Sequence, residues 1–84
     1  MWIMGQNEKS LFNSERFSGI HVYTITTDKS YCISGIDKRT GAEIDLAAYR
    51  TESKAKSVLV ELMTNIDKVR FIMPPDESQG EPTD

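Results

Sequence analysis

The sequence predicts an α+β domain: an antiparallel β-meander of about five strands, curved or barrel-like, packed by one C-terminal amphipathic helix. Three observations carry that expectation. Ala55, Val58, Leu59, Leu62, Met63 and Ile66 recur at i, i+3, i+4, i+7, i+8 and i+11, one stripe of a helix over residues 51–69. Residues 19–49 alternate in the two-residue period of half-buried strands. Turn chemistry separates the alternating runs at residues 27–30 and 37–41.

The elements follow in chain order. Residues 2–5 read as a short first strand, residues 6–9 as a polar turn, and residues 10–13 as a hairpin partner; residues 13–16 are a further polar connection. In the next strand His21, Tyr23 and Ile25 share one face, and Val22, Thr24 and Thr26 the other. Asp28 and Ser30 can bond their own backbone in the following turn. Tyr31, Ile33 and Gly35 then alternate with Cys32, Ser34 and Ile36 over residues 31–37. Gly41 supplies a positive φ for the loop. Residues 42–49 return with Ile44, Leu46 and Ala48 inward and Glu43, Asp45 and Ala47 outward.

Thr51 is the expected N-cap of the helix, with Ser53 competing, and Glu52 pairs with Lys56 at i+4. Lys68 and Arg70 complement the C-terminal dipole. Burial of six stripe residues contributes on the order of 10 kcal/mol before entropy is subtracted. Residues 70–73 either add a last short strand or pack on the sheet edge. Pro74 and Pro75 end regular structure, so the expected organisation is one domain over residues 1–73 and a disordered acidic tail over 74–84.

Charge is unevenly placed. The net charge is −3, but residues 74–84 hold Asp76, Glu77, Glu81 and Asp84 with no lysine or arginine, leaving +1 for residues 1–73. A near-neutral folded part argues against nucleic acid as the partner, since duplex binders concentrate basic charge. One cysteine, Cys32, excludes an internal disulfide and a cysteine-based zinc site and points to a reducing, cytoplasmic setting. The opening residues have no signal-peptide pattern, and the apolar run 58–60 breaks at Glu61, so no membrane association is expected. A chain this small has a marginal core, and oligomerisation is the usual remedy; a homo-oligomer is expected.

Candidate chemistry is sparse. His21 as a general base needs an orienting carboxylate beside it, and a Cys32–His21 pair on neighbouring strands lacks an indicated third residue. A small core hydrophobe is the ordinary role of a free cysteine. Glu43 and Asp45 share a strand face, too few oxygens for a calcium site. No cofactor or metal motif occurs: there is no GxGxxG, Walker, HExxH or zinc pattern.

Two places suit an anion. One is the loop of Lys38, Arg39, Thr40 and Gly41, where cations and backbone amides converge. The other is the helix start, with Arg50, Thr51, Ser53 and Lys54 around unsatisfied N–H groups. Tyr23, Tyr31 and Tyr49 offer faces on which a base can stack. Trp2, with Ile3 and Met4, either caps the sheet or joins a subunit interface.

The opening Met1, Trp2, Ile3, Met4, Gly5, Gln6, Asn7, and the later run from Ala48, Tyr49, Arg50, Thr51 and Glu52 to Val58 and Leu59, resemble a group of small proteins of Gram-positive bacteria and their phages. These begin with a Trp-containing strand and end with a capped Thr-Glu helix. Gly5 departs from that group, where a polar residue is usual. The resemblance implies a β-meander plus helix and a bacterial or phage origin, and it carries no catalytic residues. The expectation is therefore a non-enzymatic binding module acting stoichiometrically in counter-defence. It sequesters a small nucleotide-type anion through Lys38, Arg39, Arg50, Lys54, Tyr49 and Tyr23, or it occupies a host protein through the Trp2 strand or a sheet edge.

Overall fold

The computed structural model describes residues 1–76. Its elements are β1 (Trp2–Met4), β2 (Leu11–Asn13), a 3-10 turn (Ser14–Arg16), β3 (Phe17–Ile25), β4 (Ser30–Asp37), β5 (Glu43–Tyr49), α1 (Glu52–Thr64) and β6 (Arg70–Ile72). The chain is α+β, but not one meander. It forms two three-stranded sheets, ordered β2-β1-β6 and β3-β4-β5. Neither closes, and the barrel-like expectation is corrected.

The reason lies at residues 13–16. Asn13 accepts the Glu15 N–H and caps the 3-10 turn, which breaks the path from β2 to β3. β1 instead takes β6 as its second neighbour, in parallel, with Trp2 opposite Arg70 and Met4 opposite Ile72. The last strand is thus real, and it pairs with the first.

One core joins both sheets to the helix. Ile3 and Phe71 come from the small sheet, Ile33, Ala47 and Tyr49 from the large one, and Ala55, Val58 and Leu62 from α1. Phe17 lies over Gly35, where an added Cβ would come within 2.7 Å of its ring, so the core requires glycine there.

A bulge alters the expected face of β5. Ser34 pairs with Asp45 but Ile33 pairs with Ala47, leaving Leu46 as the extra residue. Ile44, Ala47 and Tyr49 therefore share the helix side. Ala47, expected outward, joins Leu46 in the core, and Ala48 departs from the inward set read from strict alternation. Leu46 is still buried, and its carbonyl accepts the Gln6 N–H at 3.0 Å.

The helix begins as expected, Thr51 Oγ1 accepting the Lys54 N–H at 3.1 Å, but it stops at Thr64 rather than residue 69. The Asn65 side chain donates to the Glu61 carbonyl at 2.7 Å and its backbone N–H also turns back on the last turn. This local capping ends the helix. Lys68 and Arg70 consequently lie beyond it and do not complement its dipole. Of the stripe, Ala55, Val58 and Leu62 are buried and Leu59 is partly so, whereas Met63 is 65% exposed and Ile66 54%.

The chain past the expected boundary at residue 73 remains engaged. Gln6 and Tyr49 donate to the Pro74 carbonyl, and Asp76 accepts the Arg50 N–H. The remainder of the expected tail, residues 77–84, lies outside the described residues. No described helix is long and apolar enough to cross a membrane.

Candidate functional site

The basic turn between β4 and β5 is built around a carboxylate. Asp37 Oδ1 accepts the N–H groups of Arg39 at 2.7 Å and Thr40 at 3.2 Å, and Oδ2 accepts Arg16 Nε at 2.8 Å. Lys38 N–H is bonded to the Arg16 carbonyl, Gly41 N–H to the Asp37 carbonyl, and Ala42 N–H to Thr40 Oγ1. Every amide from residue 38 to 42 is thereby used. The Arg16 hydrogen bond, then the Arg39 and Thr40 amides, hold the Asp37 carboxyl below its ordinary pKa. What faces solvent is a recess of about 350 Å³ edged by Glu15, Arg16, Lys38 and Arg39. Lys38 and Arg39 have no ion pair among the described residues.

At the helix start an acidic side chain stands one residue before the cap. Asp76 Oδ2 accepts the Arg50 N–H at 3.0 Å beside the Thr51 cap. Tyr49 is 1% exposed, and its hydroxyl donates to the Pro74 carbonyl at 2.7 Å. Burial, then Asp76 and Glu61, push its pKa above the ordinary phenol value. Its ring belongs to the core, not to a surface on which a base stacks. Lys38 and Arg39 precede β5, while Arg50 and Lys54 follow it. A seven-residue strand, roughly 20 Å, separates the two cation pairs. The fold does not bring them into one site.

Tyr23 lies elsewhere again, on the face of the large sheet turned away from α1. There His21 and Tyr23 of β3 reach across β4 to β5: His21 Nε2 meets Glu43 Oε2 at 2.8 Å, and the Tyr23 hydroxyl donates to Asp45 Oδ1 at 2.9 Å. The two bridges pass over Cys32 and Ser34, both buried. Glu43 is the orienting carboxylate that sequence reading did not pair with His21. Its signal was the shared phase of Glu43 and Asp45 with His21 and Tyr23, visible once the strand order is known.

This arrangement activates no nucleophile. Cys32 stands opposite Tyr23, not His21, and Ser34 stands opposite His21. Burial, then the Asp45 charge, push the Cys32 thiol up, which keeps it protonated at neutral pH. Ser34 Oγ has no hydrogen-bond partner among the described residues, so His21 does not receive its proton. The hydrogen bond to Asp45 raises the pKa of Tyr23. No group of three or more metal-ligating side chains occurs among the described residues.

The small sheet offers a different surface. Ile3 and Phe71 point into the core with Phe12 packed against them. The alternate residues face out: Trp2 (46% exposed), Leu11 (60%) and Ile72 (59%), with Met4 half-buried among them. Trp2 and Met4 thus share an outward face, as an interface requires. Leu11 and Ile72 were missed, because three-residue strands show too little alternation to assign a face.

A second apolar surface begins where α1 frees its stripe. Val60, Met63 and Ile66 form, with Phe17, Gly19, Ile20 and Leu59, a groove of about 550 Å³ along β3. At the start of β1, Trp2 N–H is bonded to the Val69 carbonyl, and Val69 is itself exposed.

Comparisons of this chain with protein-family models, with curated proteins and with solved structures find no match.

Proposed function

We propose that this chain is a non-enzymatic binding module that acts stoichiometrically on another protein, as an inhibitor or adaptor, through the outer face of its small sheet. The observation that supports this reading is one outward face on three paired strands, where Leu11, Met4 and Ile72 lie side by side and Trp2 stands next to that row between Asn13 and Arg70. Large side chains held by a rigid sheet are the usual anchors of a protein interface, and tryptophan is the foremost of them. The competing polar positions weaken the rival reading, since Asp37 already takes the amides of the basic turn and Asp76 stands beside the helix cap on the Arg50 N–H. A host defence protein is the partner that the phage resemblance suggests.

Capture from host lysate, followed by reconstitution with the purified partner, tests the proposal. Binding is expected to fall at least ~10-fold in Trp2→Ala, the loss of a hot-spot anchor, and to persist in Lys38→Ala. Equal binding by both variants would refute it.

Sequestration of a nucleotide-type anion, the first expectation from the sequence, becomes the second reading, favoured by Lys38 and Arg39 standing beside Arg16 at the recess. Thermal-shift measurements with nucleotides and cyclic nucleotides at millimolar concentration address it. Stabilisation that disappears in Lys38→Ala/Arg39→Ala would reverse the order of the two proposals.

A further inference from the structure

We infer that two copies of this chain pair through the free edge of β3, extending the large sheet across a twofold axis and closing the α1 groove of each copy with the helix of the other. This goes beyond the small-sheet reading above and uses a different surface.

The two edges of the large sheet are treated differently. At β5, the Gln6 side chain imitates a neighbouring strand: its Nε2 donates to the Ala48 carbonyl and its Oε1 accepts the Ala48 N–H, both at 3.0 Å. Asp76 takes the next N–H, from Arg50. At β3, no backbone hydrogen bond leaves the edge away from β4 among the described residues. The strand runs nine residues, Phe-Ser-Gly-Ile-His-Val-Tyr-Thr-Ile, without a proline, lysine or acid. Charges, prolines, bulges and short length are the devices that keep an edge from pairing. Apart from the irregularity at Phe17–Gly19, at its very start, β3 has none of them.

Three features select a second copy as the occupant. Antiparallel pairing about a twofold sets like face against like face, so Ile20 and Val22 of each copy continue one apolar layer. The groove above that layer is flanked by Val60, Met63 and Ile66, and a lone foreign strand added to the edge would leave these helix residues uncovered. A copy of this chain brings a helix together with its strand and covers both layers. The contact is also large enough. A nine-residue strand is about 30 Å long, and sheet plus helix stand about 20 Å high, giving about 600 Å² per copy, near the lower bound for a specific dimer.

Sedimentation velocity of the full chain from ~1 to ~300 µM tests the inference, because such a dimer dissociates on dilution. The unsubstituted chain is expected to double in mass over this range. Met63→Lys charges an exposed helix position, and Gly19→Lys charges the edge where an added Cβ meets nothing within 4 Å. Each is expected to leave the circular dichroism unchanged and to weaken the dimer at least ~10-fold, whereas Trp2→Thr leaves it intact. Protection of β3 amides in hydrogen exchange, rising with concentration in the unsubstituted chain, reads the same contact without any substitution. A monomer throughout, a dimer insensitive to both lysines, or one lost in Trp2→Thr would overturn the inference.

Discussion

The two sheets of this molecule treat their outward faces in opposite ways. The large sheet turns His21, Tyr23, Glu43 and Asp45 outward and joins them in pairs across its middle strand. The small sheet turns Trp2, Leu11 and Ile72 outward, and among the described residues these apolar side chains stay largely exposed. A polar face whose groups already satisfy one another must give up those bonds, or desolvate them, before it can bind. An apolar face gains by being covered. The side chains that look most like chemistry therefore lie on the face least ready for a partner.

The strongest way to break this contrast is to unseat the helix that closes the large sheet. Leu62 is buried in the core while Met63, its neighbour, is exposed. Leu62→Ala is expected to lose about 2–5 kcal/mol and to lower Tm by at least about 8 °C. Met63→Ala is expected to change stability by less than about 0.5 kcal/mol. Equal losses in thermal unfolding would mean that the groove is part of the core.

Gln6→Ala attacks the sealed edge of the large sheet. It removes the bonds to Ala48 and Pro74 and leaves the Ala48 N–H without its partner. Denaturant unfolding should record a loss of about 1–3 kcal/mol. Acid acts on the same sheet through Asp37. Its folded pKa is lowered, so its contribution is present above the ordinary carboxylate range and is lost as pH falls through the folded value. Stability of the unsubstituted chain should fall on acidification below about pH 4 more steeply than that of Asp37→Asn. Parallel pH profiles would assign the acid sensitivity to other groups.

Much of the fold was legible in the sequence because its signals are local. Thr51 caps the helix, Asp28 turns the chain toward Ser30, and Gly41 takes a φ of +75°. Each rests on residues within a few positions of one another. What escaped was decided by distant residues. The pairing of β1 with β6 joins the two ends of the described chain. The bulge at Leu46 shifts the face of Ala47 and Tyr49 without changing composition. The two positions were recognisable as places that suit an anion, but the acids that stand there, Asp37 on the turn amides and Asp76 on the Arg50 N–H, are identified only by the three-dimensional contacts.

Ser34→Ala sharpens the account of the closed face. Its hydroxyl is fully buried beneath the two cross-strand bridges and has no partner among the described residues. Removing an unsatisfied buried polar atom is expected to raise stability by about 1 kcal/mol. A loss of that size instead would show that the hydroxyl is bonded in solution and that the face is less closed than its pairs imply.

A small effect on stability is expected where the effect on binding is largest. Trp2 contributes its backbone to both neighbours of β1, but its side chain is 46% exposed and lies on the face opposite Ile3. Threonine keeps the strand propensity while removing the ring. Trp2→Thr should therefore shift stability by no more than about 0.5 kcal/mol, a Tm change of about 2–4 °C in a domain of this size. Thermal unfolding measured beside partner capture separates the two possible uses of the ring. A large fall in Tm would make Trp2 a cap on the core and erase the contrast between the sheets. An unchanged Tm with lost capture would place its contribution in the contact that the small sheet makes with another protein.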